Sequence, residues 1–446
     1  MIKRIANLLL LFLVLQSCTH AQTLNKGKLD SFFVALNTHD QSMGSIAIAV
    51  NGVMVYQKAI GYSQINEKAK TPSTIKTEYR VGSISKMFTA VMIFQLIDEG
   101  KLNFDTPLAS YFPQLPNAGK ITIREMLDHR SGLHNFTSDS LYFTYMANPK
   151  SEAEMLAIIA KEKSDFEPDT KAEYSNTNFV LLGYIIEKLT GKTYAEELKI
   201  RVTSKIGLAD TYYGTKINPA KNEAYSYNYS TQWIPATETD MSIPGGAGAV
   251  VSTPTDLVKF IDSLFAGKLI SPASLELMKT MRDNYGMAMF VAPFYDKRGY
   301  GHTGGIDGFS STLTYFPQDK VAIAYTSNGV RYTTNDVAIA ALSIYFNRPF
   351  TIPVFDESKT ITLNTAELDK YLGKYSSTQI PLKFAITKNN ATLFAGVTGQ
   401  STVPLEAKGD DKFVYAMAGA TLQFEPAKKT FTLTQGGKTY LFTKAD

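Results

Sequence analysis

The sequence predicts a mixed α/β (α+β) domain with an antiparallel sheet and flanking helices, followed by a small all-β barrel or sandwich. Three patterns predict it. Strand and helix signals occupy both ends of residues 24–347; the stretch between, about 101–235, is mostly helical in period; and residues 365–446 break into short strands separated by turns. A sheet assembled from both ends of a segment, with a helical region inserted, satisfies the first two. At 446 residues the chain exceeds one small core, so two domains are expected. The composition is globular, 44% hydrophobic and 19% charged. The net charge of +4 is spread without a Lys/Arg stripe, which excludes nucleic acid as a partner.

The first 21 residues are expected to be an export signal. Lys3 and Arg4 precede the apolar run Leu8 to Leu15, which is too short to span a bilayer. Leu15-Gln16-Ser17-Cys18 follows, and Cys18 is the only cysteine. The tetrapeptide resembles a bacterial lipobox, in which Cys18 is lipidated and becomes the mature N-terminus. Thr19-His20-Ala21 offers a competing cleavage site after Ala21. Either way the chain is expected in the cell envelope, periplasmic or membrane-anchored, and without disulfides.

Leu29, Phe32, Phe33 and Leu36 recur at helical spacing. Ser45 to Val50 and Val53 to Tyr56 alternate around Asn51-Gly52, a dipeptide suited to the positive φ angles of a type I′ hairpin turn. Met87 to Ile97 carries apolar residues at three- and four-residue intervals and reads as a buried amphipathic helix. Further helices are expected at Thr122 to Leu127, Glu152 to Ala160, Phe179 to Leu189 and Tyr194 to Val202, with an irregular turn at Gly245 to Gly248. Thr253-Pro254 opens a helix in the usual way, with proline early. Strands are expected at Tyr285 to Val291, Phe309 to Tyr315 and Val321 to Tyr325, flanking a glycine-rich turn at Gly301 to Gly305, and a helix at Asp336 to Tyr345 closes the domain. Residues 348–364, with two prolines, read as a linker.

Chemistry enters at Ser83-Ile84-Ser85-Lys86. Ser83 sits where the apolar helix begins, so unpaired backbone N–H groups and the helix dipole favour negative charge there. Lys86, one turn on, shares its face and can touch its hydroxyl, an arrangement suited to an activated nucleophile. The spacing alone is weak, because Ser73-Thr74-Ile75-Lys76 repeats it in polar surroundings. Tyr174-Ser175-Asn176 lies before another apolar helix, and His302-Thr303-Gly304 lies in the glycine-rich stretch. Each of these, alone, is equally a cap or a structural turn.

Together and in this order, Ser-x-x-Lys, Tyr-x-Asn and His-x-Gly resemble the serine β-lactamase and penicillin-binding-protein superfamily. The nearest branch holds class C β-lactamases, D-aminopeptidases, D-Ala-D-Ala carboxypeptidases and family VIII esterases. Asp128-His129-Arg130-Ser131-Gly132-Leu133, Leu181 to Glu187, Gly245 to Gly248 and Gly301 to Gly305 also look like that family's recurrent stretches. The resemblance spans about residues 29–347, and the C-terminal part is similar to the small lipocalin-like barrels appended to some members. It implies an acyl-enzyme on Ser83, with Lys86 keeping the site electropositive and Tyr174 carrying the proton to the leaving group. Asn176 would bind the substrate amide or carbonyl, the N–H groups of Ser83 and Gly305 would hold the oxyanion, and His302 and Gly304 would line the substrate strand. Neither cofactor nor metal is implied. His302 departs from the lysine many relatives carry, and a neutral histidine holds a substrate carboxylate less firmly.

The expected function is therefore an exported serine hydrolase acting on a small-molecule or peptide ester or amide. A true β-lactamase or D-Ala-D-Ala carboxypeptidase is the first alternative, and a catalytically inactive cell-wall sensor the second. An α/β-hydrolase is disfavoured, because no Gly-x-Ser-x-Gly is present. The five histidines include no His-Glu-x-x-His, and His129 and His134 bracket a turn, so they read as structural or surface residues.

Overall fold

The computed structural model describes residues 24–445 except 140, 231, 356–360, 362, 398–401, 416–417 and 436–437; the export signal and Cys18 lie outside the described residues. Helix α1 (Lys26–Thr38) starts at Asn25, whose side chain accepts from Lys28 N, and buries Leu29, Phe32, Phe33 and Leu36. Strands β1 (Ser42–Val50) and β2 (Val53–Ile60) follow as a hairpin. Its turn residues Asn51 and Gly52 have φ of 50° and 75°, as the dipeptide predicts. The other end of the domain supplies β3 (Phe290–Phe294), β4 (Lys297–Ile306), β5 (Phe309–Phe316) and β6 (Val321–Val330). The sheet order is β3-β4-β5-β6-β1-β2. The seam between the two ends of the domain is β1 against β6, antiparallel from Ser42↔Val330 to Val50↔Val321.

The period of β1 divides two cores. Ile46 and Ile48 face α1 and the closing helix α5 (Thr334–Tyr345), while Ala47 and Ala49 face α2 (Ser85–Asp98) and α4 (Pro254–Phe265). Phe88 of α2 stacks on Phe260 of α4 with centroids 3.9 Å apart. Each such fully buried apolar side chain contributes roughly 1.5–3 kcal/mol. The sequence suggests an amphipathic α2, but every residue from Ser85 to Leu96 is buried. The helix is enclosed on all sides by the inserted helical region, including α3 (Asn176–Thr190). Its polar members find internal partners, Thr89 Oγ1 donating to Gly246 O at 2.6 Å.

Two local expectations change. The glycine-rich stretch 301–305 is not a turn but the heart of β4. Its glycines serve close approach: a Cβ at Gly301 would fall 1.8 Å from Leu313 O, and one at Gly304 would fall 2.0 Å from Val81 O. The strand expected from Tyr285 begins only at Phe290, because residues 285–289 turn back and bond Gly286 N to Met289 O.

The C-terminal domain is a closed barrel of eight strands, from Gly373–Ser376 to Lys438–Lys444, each paired with the next. Tyr375↔Lys444 closes the ring. Phe384, Phe424, Phe431 and Phe442 pack together inside, with Phe431 and Phe442 stacked at 4.9 Å. Alternation of apolar residues along short strands produces this interior, as in small up-and-down barrels.

Candidate active site

Ser83 lies in a 3₁₀ turn (Gly82–Ile84) that runs directly into α2. The turn is pressed against β4. Gly82 has φ of 51°, and a Cβ there would fall 2.8 Å from Gly305 N. Ser311 Oγ on β5 donates to Val81 O at 2.8 Å. Only residues without side-chain bulk permit this approach, and the approach brings Ser83 and Gly305 to the rim of one cleft of about 630 Å³.

Lys86 Nζ lies 3.0 Å from Ser83 Oγ, 2.8 Å from Asn176 Oδ1 and 2.8 Å from Ala247 O. Its side chain is fully buried, and among the described residues no carboxylate pairs with it. Burial holds its pKa well below the usual lysine value. The faces of Tyr174 and Phe179, 4.9 and 5.7 Å away, compensate only part of that desolvation. The three N–H donors of Lys86 match the three acceptors around it, Ser83 Oγ, Asn176 Oδ1 and Ala247 O.

Tyr174 OH donates to Ser83 Oγ at 2.7 Å. Burial raises its pKa, so the phenol keeps its proton. The ring rests on His129, centroids 4.5 Å apart. Ser175 N donates to His129 Nδ1 at 3.2 Å, which fixes the backbone beside Tyr174. Burial keeps His129 uncharged. Asn176 opens α3 and is held from two sides, its N–H donating to Asn135 Oδ1 and its Nδ2 to Thr137 Oγ1, each at 3.0 Å.

His302 stands on β4, buried, with its ring edge-on to Phe290 at 4.8 Å. Its Nδ1 meets Thr303 O at 2.5 Å, while Nε2 is buried without a partner among the described residues. Burial pushes its pKa down to about 3, so it is neutral at physiological pH. Ser73, the competing serine, is elsewhere: its Lys76 pairs with Asp210 at 3.3 Å.

The structure therefore gathers Ser83, Lys86, Tyr174, Asn176, His302, Gly304 and Gly305 from three separated segments. Sequence reasoning missed two contributors. Ala247 supplies a carbonyl to Lys86, and the run Gly245 to Gly248 that carries it forms a helical turn rather than an irregular one. His129 is the seat of Tyr174; its presence in the stretch Asp128 to Leu133 was the available signal.

A family profile described as Beta-lactamase matches residues 29–344. Penicillin-binding protein 4* of Bacillus subtilis is 28% identical over 445 residues, 93% of this chain and 97% of that protein. Teichoic acid D-alanine hydrolase of Staphylococcus aureus is 26% identical over 307 residues, 66% of this chain and 74% of its own. Among solved structures, D-amino acid amidase from Ochrobactrum anthropi SV3, complexed with D-phenylalanine, superposes with a TM-score of 0.63 at 26% identity, covering 72% of this chain and 99% of that one. The octameric penicillin-binding protein homologue from Pyrococcus abyssi shares the fold at a TM-score of 0.63 and 24% identity, covering 94% of this chain and all of its own.

Proposed function

This chain belongs to the beta-lactamase family and is a serine hydrolase of the acyl-enzyme type, and we propose that it is exported and cleaves D-aminoacyl amides or esters. The observation that carries the reading is the buried Ser83–Lys86 pair, 3.0 Å apart and closed over by Tyr174 at 2.7 Å. Ser83 Oγ attacks the acyl carbonyl while its proton passes to the Lys86 lone pair. The oxyanion accepts from the N–H groups of Ser83 and Gly305, donors worth about 3–4 kcal/mol of barrier each on precedent. Collapse breaks the C–N or C–O bond, and Tyr174 gives its proton to the leaving atom, regaining one from Lys86. Water then attacks the acyl-enzyme through the same groups in reverse, releasing the acid and Ser83.

D-aminoacyl amides and esters are preferred because relatives are named for a D-amino acid amidase and a D-alanine hydrolase, and because neutral His302 offers a carboxylate no fixed cation. The length match to penicillin-binding protein 4* favours a second reading, a D-Ala-D-Ala carboxypeptidase or β-lactamase. The residues 1–21 pattern supports export. A panel of D-amino-acid amides, p-nitrophenyl esters and nitrocefin, ranked by kcat/KM, tests the proposal. The amides and esters are expected to lead, and Ser83→Ala to abolish turnover and fluorophosphonate labelling together. Nitrocefin at the head of the ranking selects the second reading; activity that survives Ser83→Ala defeats both.

A further inference from the structure

The cleft that exposes Ser83 is walled partly by the barrel. Val403, Pro404 and Glu406, from the strand Val403–Gly409, line it together with Ser83, Asn176 and Gly305. Among the described residues lining it, Arg331 is the only lysine or arginine. This arginine follows the end of β6, its backbone N donating to Gln41 O at 2.8 Å. Its side chain is only 12% exposed. Nε and Nη2 donate to the two oxygens of Glu406 at 2.9 and 2.8 Å, Nη1 reaches His39 O at 3.4 Å, and the guanidinium lies 3.9 Å over Tyr229.

That two-pronged fork is the geometry an arginine uses to take a carboxylate from a ligand. Here the barrel has already filled it. The Glu406 carboxylate, 6% exposed and also 3.1 Å from Lys408 Nζ, is fixed in place. His302, the strand position where the family resemblance expects a lysine, is uncharged.

We propose that the barrel sets the charge selectivity of the cleft: Glu406, by occupying Arg331, withholds the one lining cation from a substrate carboxylate. The site then takes acyl donors with uncharged leaving groups over donors ending in a free carboxylate. This rests on the serine-hydrolase reading above and extends it to the leaving group. It also gives the barrel a task that its filled interior does not suggest.

The test measures kcat and KM of the full chain on a matched pair, D-alanine amide and D-alanyl-D-alanine, expressed per fluorophosphonate-labelled Ser83. Wild type is expected to prefer the amide. Glu406→Gln leaves Arg331 without its counter-charge, so KM for D-alanyl-D-alanine is expected to fall and the preference to narrow by about tenfold. The double variant Arg331→Met/Glu406→Met, with neither charge, is expected to restore the wild-type ratio. If the pair only holds the barrel in place, Glu406→Gln changes both substrates alike and leaves the ratio fixed; that result overturns the proposal. Where Glu406→Gln is not recovered folded, Glu406→Asp, which loosens the fork, is read by the same ratio. A wild-type chain that neither labels nor turns over either substrate fails the serine-hydrolase reading itself, a different outcome from a labelled enzyme with an unmoved ratio.

Discussion

Lys86 and Tyr174 divide the protons of Ser83 according to how burial acts on each. Desolvation disfavours whichever form is charged, so it lowers the lysine's pKa and raises the phenol's. A lowered lysine pKa means that the base is free above that pKa and blocked below it. Acylation is therefore expected to fall on acidification through an acid limb belonging to Lys86. Tyr174→Phe removes the acid but not the base. It is expected to lower kcat by about 10²–10⁴ while keeping the acid limb of the kcat/KM profile. Loss of one hydrogen bond costs the fold about 0.5–1.5 kcal/mol, so thermal melts should move little. An acid limb that vanishes in Tyr174→Phe would assign the base to the tyrosine instead. The identities of these residues were legible in the sequence, since three short motifs carry them. The enclosure of Lys86 was not: it involves partners 90 and 161 residues away, Asn176 and Ala247, whose approach no local pattern encodes.

At the scale of elements, the segment 134–139 decides where Asn176 points. Asn135 and Thr137 hold it directly, and Thr177 Oγ1 donates to His134 O at 2.6 Å. His134 in turn bridges Asp165 at 2.8 Å and Asp139 at 3.1 Å with its two ring nitrogens. Partial burial lowers its pKa, but the hydrogen bond and charge of Asp165, then those of Asp139, outweigh it, and the net pKa is raised above 6.5. The sign follows from linkage. A folded-state pKa above the unfolded value means that the stabilisation is complete below about pH 6.5 and is lost as pH rises through the folded value. His134→Gln is expected to destabilise the protein by about 0.5–1 kcal/mol at pH 5.5 and by less at pH 9. Thermal melts of both proteins at the two pH values check this; a deficit equal at both excludes the ion pairs as its source. The sequence left His134 as structural or surface, which its place on this clamp refines. The glycines of β4 show the opposite lesson. Their composition resembles a turn, and only the register of β4 against Val81 and β5 reveals that they clear space for the nucleophile.

For the whole molecule, hairpin, helix and barrel signals were readable because each is local. The docking of barrel on hydrolase was not, since Arg331 and Glu406 are ordinary residues 75 apart that acquire meaning only as a pair. The remaining large-scale expectation concerns where this assembly is held. Asn25, the cap of α1, lies seven Cα steps beyond Cys18, and an extended chain spans about 3.3–3.6 Å per step. A lipid on Cys18 would therefore keep the start of α1 within about 25 Å of the bilayer surface. We propose this anchoring, on the strength of the lipobox-like Leu15-Gln16-Ser17-Cys18. One acyl chain binds membranes only marginally, whereas a multiply acylated cysteine holds stably. Cys18→Ser is then expected to move most of the enzyme from the membrane fraction to the soluble envelope fraction. Its kcat/KM on a soluble D-amino-acid amide should stay at the wild-type value, because the described residues that line the cleft begin at Gly82. Retention of Cys18→Ser in the membrane fraction would mean that the apolar run Leu8 to Leu15 itself stays attached. Release of both proteins alike would point to cleavage after Ala21.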